Sequence, residues 1–354
     1  MKLIVTKCFV FLFFSSFIAA QEKNDVKISF SGFLETYYAY DFNNPNAEKK
    51  LPFMYNYNRH NEFNLNIGLL RSKVEYENAY ASIAIHSGTY VEDNYANETT
   101  KILNEAFIGL YLDKDKKQTI EAGILPSYIG FETATSASNL TLTRSILAEN
   151  SPYFMTGVKY DYKPNDKWNF AFLVTNGWQK IQRNNAKIPP AVGSQISYKP
   201  TAKSLLNWSS FLGKEMYNDY WGMRFFNNFY WDYQCTKNWR IITGFDIGMQ
   251  DINPIKTDYQ IWYSPVIMTQ YTWNSRWQTG LRAEYYQDKN TILIATNEAF
   301  KTFGSSINVD YNVSAKVKFR TEARYLQSQE KVFLKNDLPT NNNFFITTSL
   351  AFEF

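Results

Sequence analysis

Charged residues recur at every second position in one stretch near the end of the chain. They are Lys316, Lys318, Arg320, Glu322 and Arg324. Because successive side chains of a β-strand point to opposite faces, a strand here would carry all five on one face. An Arg or Lys on the lipid face of a membrane strand costs roughly 2–4 kcal/mol at the midplane, so we expect this face to meet water. Such a row could bind hydrophilic solutes or form ion pairs that stiffen a wall, and the sequence leaves both open.

Further charges follow the same spacing in other alternating stretches. They are Arg276, Arg282 and Glu284, then Arg224 with Asp232, and then Arg240 with Asp246. We expect these side chains to share the wet face of their strands with the first row. Together they would line the inside of a pore.

Patterns that carry catalysis or hold metals are scarce in this sequence. The two histidines are His60 and His86, and neither belongs to a Ser/His motif. The chain contains no G-x-S-x-G, H-E-x-x-H or glycine-rich phosphate loop. Its two cysteines form no Cys/His cluster with metal-ligand spacing. We therefore expect no catalytic residue, no metal and no cofactor.

The elements that position the charged rows are strands, because apolar and polar residues alternate along most of the chain. The alternation predicts sixteen strands, from one at residues 26–40 to one at residues 343–354. Turns of roughly 2–5 residues alternate with loops of about 8–27, as in single-chain bacterial barrels. One such loop is predicted at residues 213–220. A change of face is predicted near Leu70, at a bulge.

The composition favours an all-β fold, a transmembrane antiparallel up-and-down β-barrel with short periplasmic turns and longer external loops. Aromatic residues make up 18% of the chain, with Tyr 26, Phe 28 and Trp 9, yet the mean hydropathy is −0.40. Strands that are apolar on one face only, with aromatic girdles, produce this combination. Sixteen strands would enclose a water-filled lumen. A soluble β-sandwich is the alternative, although it does not need long runs of outward-facing aromatics.

The beginning of the chain has the pattern of a secretory signal peptide. A short basic region precedes an apolar run, and Ala19-Ala20 precedes a polar segment. Cleavage near Ala20 would leave residues 21–354 as one barrel domain. It would remove two lysines and no acid, so that the net charge of +4 falls by two. A nearly neutral chain argues against a partner such as nucleic acid. Only Cys235 would remain, so no internal disulfide is expected.

Seven segments together resemble the OmpL-like β-barrel porin family of bacterial outer membranes. They are GFLETYYAYDFN at 32–43, EAFIGL at 105–110, AGILPS at 122–127, IGFE at 129–132, SPY at 151–153, NGW at 176–178 and RAEYYQD at 282–288. The resemblance implies an outer-membrane location in a Gram-negative bacterium and a porin-like role. It assigns no catalytic or substrate residues. The last strand, ending at Phe354, resembles the signal by which the barrel-insertion machinery recognises its clients.

Residues 126–152 form the third long loop and carry Glu132, Arg144 and Glu149. In general porins the third external loop folds into the lumen and narrows it. We expect this one to act as a constriction loop opposite the Arg/Lys-rich wall, although an exposed loop is the alternative.

The function predicted from these features is passive diffusion of small hydrophilic solutes through a charge-lined channel in the outer membrane. A structural or adhesive barrel with a plugged lumen is one alternative, and an outer-membrane enzyme is a less favoured one. We expect outer-membrane lipid as a partner and a mild preference for anions. The sequence marks no subunit seam, and it leaves a homo-oligomer open.

Overall fold

The computed structural model describes residues 26–46, 49–183 and 185–354. The predicted signal peptide, residues 1–20, lies outside them. The two α-helices in this part of the chain are short, α1 (Thr89–Asn94) and α2 (Ile146–Glu149). None of the helices described is long and apolar enough to cross a membrane.

Antiparallel strands in chain order close into a barrel, which confirms the predicted fold class. Eighteen strands are described, and all but β16 and β17 belong to the barrel wall. The ring closes where β1 pairs with β18, with Thr36 opposite Leu350. The strands are β1 (Lys27–Asp41), β2 (Phe63–Tyr76), β3 (Ala79–Ser87), β4 (Leu103–Tyr111), β5 (Gln118–Pro126), β6 (Phe154–Asn165), β7 (Trp168–Thr175), β8 (Ala191–Thr201), β9 (Ser204–Tyr217), β10 (Tyr220–Thr236), β11 (Trp239–Asp251), β12 (Tyr259–Thr272), β13 (Trp277–Asp288), β14 (Phe300–Asn312), β15 (Val317–Ser328), β16 (Phe333–Lys335), β17 (Leu338–Thr340) and β18 (Asn342–Glu353).

Apolar side chains cover the outside of the barrel, and the charged rows point inward. On β15, Phe319 and Tyr325 are about two-fifths exposed, whereas Arg320 and Arg324 are fully buried. On β1, Phe30 is 71% exposed on the outer face. An apolar outer band is what a strand needs in lipid, where charges are costly.

The two ends of the barrel differ. One end, which we call the turn end, carries short turns and the start and end of the described wall at Lys27 and Glu353. The other, the loop end, carries the long connections. The loop predicted at residues 213–220 is instead a two-residue turn. β9 and β10 continue through most of this range and are joined by Asn218 and Asp219. These two residues have φ values of 44° and 66°, which suit a two-residue hairpin turn.

The predicted change of face in β2 exists, but it lies nearer the loop end than Leu70. The register with β1 shifts after Glu35, which leaves Asn66 as the extra residue of a bulge. Ile67 and Leu69 therefore face the interior and are buried. A change of face only at Leu70 would have kept these two residues on the same face as Phe63, which is exposed on the outside. Asn66 is itself fully buried, and its side chain accepts a hydrogen bond from the Tyr57 amide in the first loop, which joins β1 to β2.

The core lies inside the barrel at its loop end. Loop side chains pack there against the inner wall. The members include Leu51, Phe53, Met54, Tyr128, Ile129, Ile146, Trp262, Tyr286, Ile292, Ile294, Phe300 and Phe333. The sequence predicted a water-filled lumen, whereas packed apolar side chains fill this part of it. Burial of these apolar surfaces holds the loops against the wall.

Candidate functional site

Residues 127–153, between β5 and β6, cross the interior of the barrel, and we call them the inner loop. Its first part lies against β9 and β10. The Tyr128 hydroxyl donates to the carbonyl oxygen of Ser210 at 2.6 Å, and the Gly130 amide donates to Oδ1 of Asn228 at 3.2 Å. The loop thus leaves the wall where β5 ends and reaches strands well around the ring.

The middle of the inner loop is held by Glu322 of β15. Its Oε2 accepts a hydrogen bond from the Thr143 amide at 2.6 Å, and its Oε1 accepts from the Thr143 hydroxyl at 2.9 Å. Arg282 of β13 donates to the same carboxylate at 2.5 Å and to the Thr143 carbonyl oxygen at 2.6 Å. One carboxylate and one guanidinium therefore enclose the backbone of a single loop residue.

A second pair holds the next residues of the loop. Arg324 donates to Oε1 of Glu284 at 2.5 Å and to the Arg144 carbonyl oxygen at 2.8 Å. The other oxygen of Glu284 accepts from the Ile146 amide at 2.6 Å, where α2 begins. We call Arg282, Glu284, Glu322 and Arg324 the anchor cluster; their side chains have no solvent exposure. Buried charges tolerate desolvation only when paired and hydrogen-bonded, and these are.

Two further members of the charged row, Lys318 and Arg320, also bind the inner loop. Arg320 forms a two-point pair with Asp310 at 2.7 and 3.0 Å and donates to the carbonyl oxygens of Ser136 and Asn139. Lys318 donates to the Ala137 carbonyl oxygen at 2.9 Å. The sequence predicted that this row faces away from lipid and left open whether it binds solutes or forms ion pairs. The structure instead places its inward side chains against a loop whose backbone they satisfy.

The remaining predicted pore residues lie apart from the loop. Arg276 and Lys316 are exposed at the turn end. Arg224 donates twice to Gln250, at 2.8 and 2.6 Å, and is buried between tryptophan rings. Arg240 forms a two-point pair with Asp232 and is partly exposed. Asp246 is buried and accepts from the Asn228 side chain at 2.5 Å.

The two acids predicted for the constriction are internal to the loop packing. Glu132 accepts hydrogen bonds from the amide and hydroxyl of Ser145, and burial raises the pKa of its carboxyl group. Glu149 accepts from the Tyr55 amide at 2.9 Å and from the Tyr153 hydroxyl at 2.8 Å. Both carboxylates are buried, so they tie loop segments together.

Arg144 differs from the other buried arginines. It is 4% exposed, and its guanidinium group lies 3.7 Å from the centre of the Tyr153 ring. Nη2 donates to the Glu132 carbonyl oxygen at 3.3 Å. Nε and Nη1 have no hydrogen-bond partner in the described part of the chain.

Arg144 borders a cavity of about 510 Å³ between the inner loop and the wall at β2 and β4, which we call the side cavity. A second cavity of about 630 Å³, which we call the turn-end cavity, lies nearer the turn end of the barrel. The linings of the two cavities meet where the hydroxyl of Ser82, in the turn-end cavity, donates to Glu105, in the side cavity. The charged lining of the turn-end cavity is Lys27, Lys73, Lys116, Lys117, Lys159, Lys163, Glu75, Glu121 and Asp161.

Sequence reasoning missed most of these cavity residues. Arg71, Lys73 and Glu75 follow the same every-second-residue spacing on β2 as the row on β15. This spacing is visible in the sequence. The bulge at Asn66 reverses the faces of the strand, so the spacing alone does not show that these side chains point inward. Among the described residues, no group of three or more His, Cys, Asp or Glu side chains could hold a metal ion.

Comparison with known proteins identifies relatives of this fold. The family model "Putative beta-barrel porin-2, OmpL-like" matches residues 27–354. A search of curated proteins finds no significant match. The outer-membrane channel DcaP of Acinetobacter baumannii superimposes with a TM-score of 0.65 at 10% identity, covering 93% of this chain and 97% of that one.

Two further solved structures share the architecture. The anion-selective porin from Comamonas acidovorans has a TM-score of 0.61 at 9% identity, with 93% and 100% of the two chains covered. OmpF of Salmonella typhi, in complex with daunomycin, has a TM-score of 0.61 at 10% identity, with 92% and 97% covered. At such low identity these likenesses show the fold.

Proposed function

We propose that this chain, which belongs to the OmpL-like β-barrel porin-2 family, passes small hydrophilic solutes by passive diffusion along one side of its lumen. Membership makes it a porin-like channel of the Gram-negative outer membrane. Its turn end then faces the periplasm, because such barrels have short periplasmic turns. The observation that carries the proposed route is a pair of neighbouring cavities, the side cavity between the inner loop and the wall and the turn-end cavity along the inner wall near the periplasmic turns.

The inner loop is the proposed constriction of this route. The anchor cluster fixes its middle to β13 and β15, so the open space is left on the side of β2 and β4. In this assignment Arg282, Glu284, Glu322 and Arg324 position the loop and do not touch the solute. Deleting the inner loop should raise single-channel conductance, and an unchanged conductance would refute the assignment.

We propose a mild preference for anions. Six lysines border the turn-end cavity against Glu75, Glu121 and Asp161. Lys159 is paired with both Glu121 and Asp161, and Lys116 with Glu75, which leaves excess positive charge at the mouth. A positive mouth raises the local concentration of anions. Reversal potentials in a salt gradient measure the preference, and strong cation selectivity would contradict it.

A plugged barrel is the second candidate, and the dry core at the loop end favours it. Side chains such as Phe53, Ile292 and Ile294 fill space that a wide pore would leave open. Liposome swelling with sugars and amino acids separates the two functions. A channel predicts swelling that slows as the solute becomes larger, whereas the absence of swelling with every small solute would support the plug.

Three further assignments belong to the same proposal. Residues 1–20 act as a cleaved signal peptide, which the N-terminal sequence of the mature protein would test. The barrel acts by passage of solutes and catalyses no reaction. Its terminal strand engages the insertion machinery, and chemical cross-linking in membranes tests whether the barrels associate into a homo-oligomer.

A further inference from the structure

Arg144 is a buried cation whose hydrogen-bonding capacity the protein leaves partly unused. Its Nη2 bonds to one carbonyl oxygen, and Nε and Nη1 meet no acceptor among the residues described. Buried N–H groups without an acceptor are costly, most of all on a charged group. Arg282 and Arg324 of the anchor cluster also have an Nε without a hydrogen-bond partner, but each binds a carboxylate and a loop carbonyl oxygen, which Arg144 does not. Arg144 therefore has donors to offer to a further group.

The side cavity gives that group space and an apolar surface. Its volume of about 510 Å³ lies within the roughly 300–1,000 Å³ that small-molecule sites occupy. Four aromatic side chains border it. They are Tyr90, Phe131, Tyr153 and Tyr230.

The other charges around the side cavity are already engaged. Arg71 donates to both oxygens of Glu105, at 2.8 and 3.0 Å. The Glu132 carboxylate binds Ser145. Of the two arginines at this cavity, Arg144 is thus the one without a carboxylate hydrogen-bonded to it.

We propose that the side cavity binds a small organic anion, whose carboxylate pairs with the Arg144 guanidinium while its apolar body packs on the aromatic rings. Nε and Nη1 are covered by neighbouring atoms, so binding includes a small rotation of the guanidinium that turns them towards the carboxylate. Hydrogen bonds between a guanidinium and a carboxylate are charge-assisted and stronger than those to a neutral acceptor. The inference rests on the proposed function, because the anion would reach the cavity through the lysine-lined mouth. It adds a chemical class of solute, small organic anions, that binds at the constriction.

Benzoate is a suitable probe, and benzamide is its neutral counterpart of similar shape. Chloride current is recorded through the full-length mature barrel in planar bilayers while each is added from the turn end. Benzoate should lower the current in a saturable manner, and benzamide should not. In Arg144→Met the half-blocking benzoate concentration should rise about tenfold or more, as expected for lost charged hydrogen bonds. Arg183→Gln, a loop arginine that does not border the side cavity, should behave as the wild type.

Equal block by benzoate and benzamide, or equal block of wild type and Arg144→Met, would overturn the subsite. If Arg144→Met fails to give a heat-modifiable barrel, Arg144→Lys replaces it and should weaken the block, since it loses the planar set of donors. A barrel without chloride current contradicts the proposed function instead. Equilibrium dialysis of labelled benzoate against detergent-solubilised wild type and variant then decides the subsite independently, and equal binding would reject it.

Discussion

Removing the Glu322 carboxylate should release the inner loop. In wild type this group accepts two hydrogen bonds from Thr143 and one from Arg282, at 2.5–2.9 Å. Glu322→Ala leaves Arg282 buried with one carboxylate partner fewer. Breaking a buried ion pair by removing one partner costs about 3–5 kcal/mol. At about 1.4 kcal/mol per factor of ten, the ratio of docked to released loop falls by roughly 10²–10⁴.

Planar-bilayer recordings and proteolysis measure this release. The variant should show larger and more fluctuating conductance than wild type, and trypsin should cleave after Arg144, which is 4% exposed in the docked loop. Asp232→Ala is the matched control. It also breaks a two-point Arg pair, that with Arg240, but at a partly exposed position away from the loop, where roughly 0.2–1 kcal/mol is expected. Wild-type conductance and the same resistance to trypsin in a folded Glu322→Ala barrel would refute the anchoring role.

Three other perturbations test separate parts of the structure. Burial lowers the pKa of Lys50 to about 7, so between about pH 7 and 10.5 the unfolded chain holds a proton that the folded chain has lost. Thermal stability should therefore rise with pH over this range, and Lys50→Met should flatten the slope. Gly280→Ala would place a Cβ 2.4 Å from the Leu140 carbonyl oxygen, so we expect an altered conductance and a loss of about 1–3 kcal/mol in stability, and an unaltered barrel would contradict this contact. Deleting Phe354 removes two backbone hydrogen bonds to Gly32, at 2.8 and 3.0 Å, and should lower the heat-modifiable fraction in membranes; full assembly would contradict a role for the last residue.

The strands could be predicted where lipid imposes a strict alternation. β7 is such a strand, because its outer face is continuously apolar, with Trp168, Phe170, Phe172 and Val174 at every second position. The ends of β9 and β10 could not be predicted, since Lys214 is exposed and Glu215 is buried against a loop that the sequence does not place next to it. A strand that continues beyond the apolar band has no reason to keep an apolar outer face. The local pattern then reads as a loop.

The bulge in β2 depends on contacts between distant residues. The Asn66 side chain accepts a hydrogen bond from the Tyr57 amide of the first loop, and the Tyr57 hydroxyl donates to Glu35 of β1 at 2.7 Å. The site shows the same limitation. The charged row on β15 was visible as a pattern, but its partner is a loop residue 179 positions away, Thr143 bound by Glu322. Spacing shows which face a side chain occupies, and only the folded chain shows what covers that face.

A row of cations inside a barrel can face water or donate hydrogen bonds to a loop. Which of the two occurs depends on whether the loop has backbone carbonyl oxygens that lack other donors. The inner loop has little regular structure, so its backbone carbonyls need donors from elsewhere. The arginines of β13 and β15 supply them, at Ser136, Asn139, Thr143 and Arg144. Those cations are therefore engaged.

The cations still available to a solute lie on the other side of the lumen. They are Arg144, which binds no carboxylate, and three lysines of β1, β2 and β6 that form no ion pair with a described residue, Lys27, Lys73 and Lys163. Charge selectivity should follow these residues and not the more conspicuous row on β15. Replacing the three lysines by Gln should reduce the anion preference measured by reversal potential, because the positive potential at the mouth falls. Replacing exposed Lys316 alone should leave the preference nearly unchanged, since it borders a different cavity.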